Sequence, residues 1–104
     1  MRKLAEQVKT LGDPTRLRIL KLLSMLELAP SEHDPDCPGV YNVTKLGEEL
    51  GVPQTTVSHH LKVLYNAGLL RNKKLCRDVY YWIDRNAFAG VLDDLKAAAR
   101  FDAI

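Results

Sequence analysis

Apolar positions along the chain fall into five runs at helical spacing, interrupted by one proline-rich gap and one stretch of β-formers. Leu4, Val8 and Leu11 predict a short amphipathic helix over residues 2–11, ended by Gly12. Asp13-Pro14 restarts the chain as a helix, with an acidic N-cap followed by a proline whose fixed φ suits the first helical position. Ile19, Leu22, Leu23 and Leu26 then recur at i, i+3, i+4, i+7, and Leu17 and Leu20 broaden the apolar surface. This second helix, running to about Glu27, is expected to be central. Residues 28–41 contain three prolines and Gly39 and are expected to form a surface loop.

Thr44 can cap a third helix whose apolar face is Leu46 and Leu50. Gly51-Val52-Pro53 makes a tight turn, and Gln54 to Asn66 follows as a helix with Val57, Leu61 and Leu64 on one face. Two short helices joined by a three-residue turn containing glycine form a helix-turn-helix, here about residues 43–67. Ala67-Gly68 ends it. The period then changes: Leu69–Leu75 and Val79–Ile83 flank Cys76-Arg77-Asp78, and the second run is rich in β-formers, which predicts a hairpin over about 69–84. Asp84 can cap a last helix over about 85–100, striped by Phe88, Val91, Leu92, Leu95 and Ala98. The fold class is therefore mainly α (α+β), a single winged helix-turn-helix domain of about five helices and a two-stranded wing.

A chain of 104 residues supports one domain. So short a chain buries its surface inefficiently, and a partner subunit would help. The stripes Leu4, Val8, Leu11 and Phe88, Val91, Leu92, Leu95 on the terminal helices are the candidate dimer surface. Cys37 and Cys76 are too few for a disulfide-stapled secreted domain. No apolar run approaches the ~18 residues of a membrane span, and Met1-Arg2-Lys3-Leu4 leads straight into helical periodicity without a signal-peptide core. A cytoplasmic protein without a membrane partner is expected.

The net charge of +2 decides little, but its distribution is informative. Residues 1–41 are neutral, residues 42–81 carry +3, and residues 82–104 carry −1. Arg71, Lys73, Lys74 and Arg77 gather on the hairpin, within reach of phosphates if the partner is double-stranded DNA. On the helix from Gln54, at about 100° per residue, Thr55, Ser58, His59 and Lys62 lie opposite Val57, Leu61 and Leu64. That face is small and polar near its N-terminal end, as entry into a major groove requires. Gln54 can pair with an adenine edge, Thr55, Ser58 and His59 can meet bases or phosphates, and Lys62 suits a phosphate. His60 lies nearer the core face and reads as structural. An enzyme is not expected: His59 has no nucleophile or carboxylate arranged with it, and no glycine-rich phosphate loop is present. The competing function is a protein-interaction module, in which the winged helix serves assembly without specific DNA recognition.

Three motifs in order carry a family resemblance. Leu11-Gly12-Asp13-Pro14-Thr15-Arg16-Leu17-Arg18-Ile19-Leu20 is similar to the opening signature of the ArsR/SmtB transcriptional repressors. Val57-Ser58-His59-His60-Leu61-Lys62-Val63-Leu64 with Ala67-Gly68-Leu69-Leu70 resembles their recognition helix and its exit, and Val79-Tyr80-Tyr81 resembles their wing. The resemblance spans nearly the whole chain outside residues 28–41. It implies a homodimer built on the first and last helices. It also implies repression by operator occlusion, changed by an inducer, with DNA contacts at Gln54, Thr55, Ser58 and His59.

The metal positions of that family are departed from. Where a Cys-Val-Cys-Asp-type run would enter the third helix, this chain has Asn42-Val43-Thr44-Lys45. At the last helix Asp84 matches, but its partner positions hold Asn86, Ala97 and Arg100, and one carboxylate cannot hold zinc. No metal and no cofactor are expected. Glu32, His33, Asp34, Asp36 and Cys37 are ligand types without a ligand spacing, best read as a solvated acidic loop. Cys76 stands beside Lys74 and Arg77, which can lower a thiol pKa, but an incidental wing-tip thiol is the simpler reading.

Overall fold

The computed structural model describes residues 2–26, 43–75 and 78–99. The segment 28–41, expected as a loop, lies outside the described residues, as do Asn42, Arg77, Arg100 and both cysteines. Within them the expected order of elements holds: α1 (Arg2–Leu11), α2 (Pro14–Leu26), α3 (Val43–Leu50), α4 (Gln54–Asn66), β1 (Leu70–Leu75), β2 (Asp78–Ile83) and α5 (Arg85–Ala99). No described helix is long and apolar enough to cross a membrane.

Local chemistry sets most of these boundaries. At the start of α2 the Asp13 Oδ1 accepts from the backbone N–H groups of Thr15 (2.8 Å) and Arg16 (3.2 Å), satisfying donors that the first turn cannot pair internally. Asp84 does the same for α5, accepting from Ala87 N–H at 3.0 Å. At the end of α4 the Gly68 N–H donates to the Tyr65 carbonyl (2.9 Å) and the Leu69 N–H to the Leu64 carbonyl (3.1 Å). Gly68 adopts φ +80°, and Leu64 and Leu69 are both fully buried, completing the apolar contact of a Schellman stop. Thr44, expected as the cap of α3, lies inside its first turn instead, where its hydroxyl is engaged by Gln54.

The Asp13 cap has a pH signature. The Arg16 backbone N–H, helped by that of Thr15, holds the carboxyl below its usual range. A carboxylate with a depressed folded pKa stabilises the fold above its unfolded pKa, and that contribution disappears as pH falls through the folded value. The gap in melting temperature between wild type and Asp13→Ala is therefore expected to be full at neutral pH and to close in acid. A gap unchanged down to the acid limit of folding would show that the ionised carboxylate is not what caps α2.

The core joins α2, α3, α4, the start of the wing and α5 through Ile19, Leu23, Leu46, Val57, Leu61, Leu64, Leu69 and Val91. Two expectations about apolar faces change here. Leu17, read as part of the central surface of α2, is 52% exposed, because Ile19, Leu20 and Leu23 take the inward positions. On α1 the buried residues are Gln7 and Thr10, while Val8 is 40% exposed. These polar side chains are tolerated inside because both are satisfied: Gln7 Nε2 donates to the Ala67 carbonyl (3.1 Å) and Thr10 Oγ1 to the Glu6 carbonyl (2.8 Å).

Candidate nucleic-acid interface

Val57, Leu61 and Leu64 are fully buried and pin one face of α4 to the core. The opposite face is open, as the spacing requires: Gln54, Thr55, Ser58, His59 and Lys62 are all exposed. The helix begins after Pro53, which supplies no side-chain cap. The His59 ring lies 5.6 Å from that of His60, tilted by 60°.

Two side chains that sequence reasoning passed over fix α4 in place, and a third ties α2 to α3. Arg16 Nε donates to His60 Nδ1 (3.1 Å), while its Nη1 reaches the Thr10 carbonyl at the end of α1 (3.2 Å). His60 therefore faces inward with its Nδ1 as acceptor, the structural role its position suggested. Gln7 holds the C-terminal end of α4 through Ala67. Arg18 Nη2 reaches the Leu50 carbonyl at 3.4 Å and so links α2 to the end of α3. Gly47 lets the two helices of the helix-turn-helix approach: a Cβ there would stand 3.1 Å from the Val52 carbonyl and 3.8 Å from both Gln54 Cγ and Val57 Cγ2. None of these contacts has a local sequence signal, since each partner belongs to another element or to the turn beyond.

The wing is an antiparallel pair with Arg71 opposite Trp82, Lys73 opposite Tyr80 and Lys74 opposite Val79. Directly opposed residues share a face and successive residues alternate. Arg71 and Lys73 thus stand on one face of the ribbon and Lys74 on the other, so the basic run is divided rather than forming one patch. All three are exposed. The Asp84 N–H donates to the Leu69 carbonyl (3.0 Å) and closes the base of the hairpin against the end of α4.

The terminal-helix residues also divide. Val91 is only 3% exposed and belongs to the core of its own protomer, so it is not available as a surface contact. Leu4, Leu11 and Phe88 are half-buried and pack against the core, whereas Val8, Leu92 and Leu95 remain exposed. Leu17, Leu20, Ile83, Phe88 and Leu92 line an open groove of about 620 Å³ between α2 and α5.

This architecture has close counterparts. A model of the bacterial regulatory protein arsR family matches residues 37–72, the segment that contains the helix-turn-helix. An uncharacterised HTH-type transcriptional regulator of Methanocaldococcus jannaschii is 42% identical over 81 residues, which are 78% of either chain. The HTH-type transcriptional repressor SmtB of Mycobacterium tuberculosis is 33% identical over 99 residues, covering 95% of this chain and 64% of that protein. Among solved structures, the homodimeric winged helix-turn-helix DNA-binding domain from Mycobacterium bovis, a possible ArsR-family regulator, superposes with a TM-score of 0.67. That match is at 23% identity and covers 99% of this chain and 83% of that one. The sequence motifs, the fold and these relatives together establish that the chain belongs to the ArsR family of winged helix-turn-helix transcriptional regulators.

Proposed function

We propose that the chain acts as a homodimeric repressor that occludes a double-stranded DNA operator, reading bases with α4 and gripping phosphates with the wing. The observation that carries this reading is the polar face of α4. Thr55, Ser58, His59 and Lys62 are exposed together on a helix whose other face is locked into the core. An assembly surface would instead be expected to present apolar side chains there. Gln54, Thr55, Ser58 and His59 are assigned to base edges and adjacent phosphates, and Lys62, Arg71, Lys73 and Lys74 to phosphates, with Arg77 joining them from the sequence. Dimerisation through the terminal helices rests on the exposed Val8, Leu92 and Leu95. Such a protein works in the cytoplasm, and no catalytic step is assigned to it.

Reading and anchoring are separable. His59→Ala is expected to weaken binding to the preferred site by about 1–3 kcal/mol while changing random-duplex binding little. Lys73→Ala is expected to weaken binding to every duplex and to lower the salt slope by roughly one unit. Titrations on a selected site and on random duplex, each at several salt concentrations, measure both. Equal losses on the two DNAs for His59→Ala would remove its base-reading role. Failure of the wild type to bind any duplex at low salt would favour the protein-interaction module.

A further inference from the structure

Gln54 is the first residue of α4, and its amide does not point freely into solvent. Its Nε2 donates to the Thr44 hydroxyl oxygen at 2.8 Å, across the gap between the two helices of the helix-turn-helix. Thr44 is exposed on α3 and makes no contribution to the core. Its placement fits this contact. Thr44 and Gly47 are three residues apart on α3 and so share a face. The Gln54 stem passes 3.8 Å from where a Gly47 Cβ would stand, so the missing side chain leaves a track along which Gln54 folds back to Thr44.

We propose that Thr44 is a positioning residue for base recognition: it holds the Gln54 side chain where its amide can pair with adenine. This rests on the reading of α4 as the helix that enters the groove. A glutamine amide has two N–H donors and one carbonyl acceptor. Thr44 takes one N–H. The remaining N–H and Oε1 are the donor–acceptor pair that adenine N7 and N6 require. A free glutamine would have to freeze its side-chain torsions on binding. Thr44 holds those torsions before DNA arrives, and so contributes to the pairing without touching a base.

The test is a binding-site selection from a randomised duplex library, followed by titration of the selected site and its single-base variants. Wild type, Gln54→Ala, Thr44→Val and Thr44→Ser are compared. Thr44→Val keeps the shape and the exposed position but removes the hydroxyl acceptor, and Thr44→Ser retains it. At the base pair where Gln54→Ala erases the preference for adenine, Thr44→Val is expected to reduce that preference about three- to tenfold, the worth of roughly one net hydrogen bond. Thr44→Ser is expected to keep it, and both Thr44 variants should bind random duplex as the wild type does. A merely structural Thr44 would move random and selected sites together, and that outcome overturns the proposal. So does a Thr44→Val profile equal to wild type where Gln54→Ala has lost discrimination, which would leave the reading role of Gln54 intact. If Gln54→Ala itself changes no base preference while His59→Ala does, the reading of α4 survives but Thr44 has nothing to position. If neither changes any preference, the reading of α4 has failed with it.

Discussion

Replacing Leu92 and Leu95 together with lysine is expected to leave the chain monomeric and to weaken operator binding by two to four orders of magnitude. Both side chains belong to α5, which is anchored to its own protomer by Val91, and both are exposed in that protomer, Leu92 at 57% and Leu95 at 39%. Neither side chain belongs to the buried core cluster, yet lysine places ammonium groups in what would be an apolar seam, where an unpaired charge is strongly unfavourable. A dimer delivers its second reading helix at the high local concentration set by the first, which is worth about 10²–10⁴ in avidity. A monomer forfeits that gain while keeping an intact α4. Light scattering reports the oligomeric state and a titration of the selected site reports affinity. Binding to random duplex, counted per protomer, checks that the reading head is still folded. A double variant that remains dimeric and binds as the wild type does would move the dimer surface elsewhere. The exposed Val8 of α1 would then be the next position to test.

The sequence is most legible where the controlling chemistry is local. Asp13, Asp84 and Gly68 mark helix ends because caps and stops depend on neighbours within a few residues, and all three act as their positions suggest. The buried stripe Val57, Leu61, Leu64 is equally readable, since α4 carries polar residues on its other side and only one face can turn inward. Helix α2 has no such contrast. Its leucines surround the axis, and only the packed fold shows that Ile19 and Leu23 are inside while Leu17 is not. Helix α1 hides more: Gln7 is buried because its partner, the Ala67 carbonyl, is supplied from 60 positions away, and no periodicity reports that. The wing cations are contiguous in sequence but divided by strand alternation, a consequence of register. The polar face of α4 could be read in advance, whereas the side chains that aim it could not.

Arg16→Ala is the variant expected to show how much that aiming matters. Arg16 lies in the first turns of α2, where its backbone N–H helps the Asp13 cap and its guanidinium makes two further hydrogen bonds, one to His60 in α4 and one to the end of α1. Bonds from a charged donor are worth about 1.5–3 kcal/mol each. Both are partly buried, so the lower part of that range applies, and their joint loss is expected to cost about 2–4 kcal/mol. Small domains have only about 5–15 kcal/mol in total, and a destabilisation of this size lowers the melting temperature by roughly 10 °C or more. Arg16→Lys is not expected to restore it, because a single ammonium cannot reproduce the forked geometry that spans His60 and the Thr10 carbonyl. His60→Leu removes only one of the two bonds and should cost less. If Arg16 and His60 act as a pair, the double variant will be less destabilised than the sum of the two singles, with a coupling of about 0.5–3 kcal/mol. Strict additivity would mean that the 3.1 Å contact contributes nothing. Measured well below the melting temperature of every variant, operator affinity separates aiming from folding. A folded Arg16→Ala that has lost selected-site binding but kept random-duplex binding has an α4 that is present but no longer held in register with the groove.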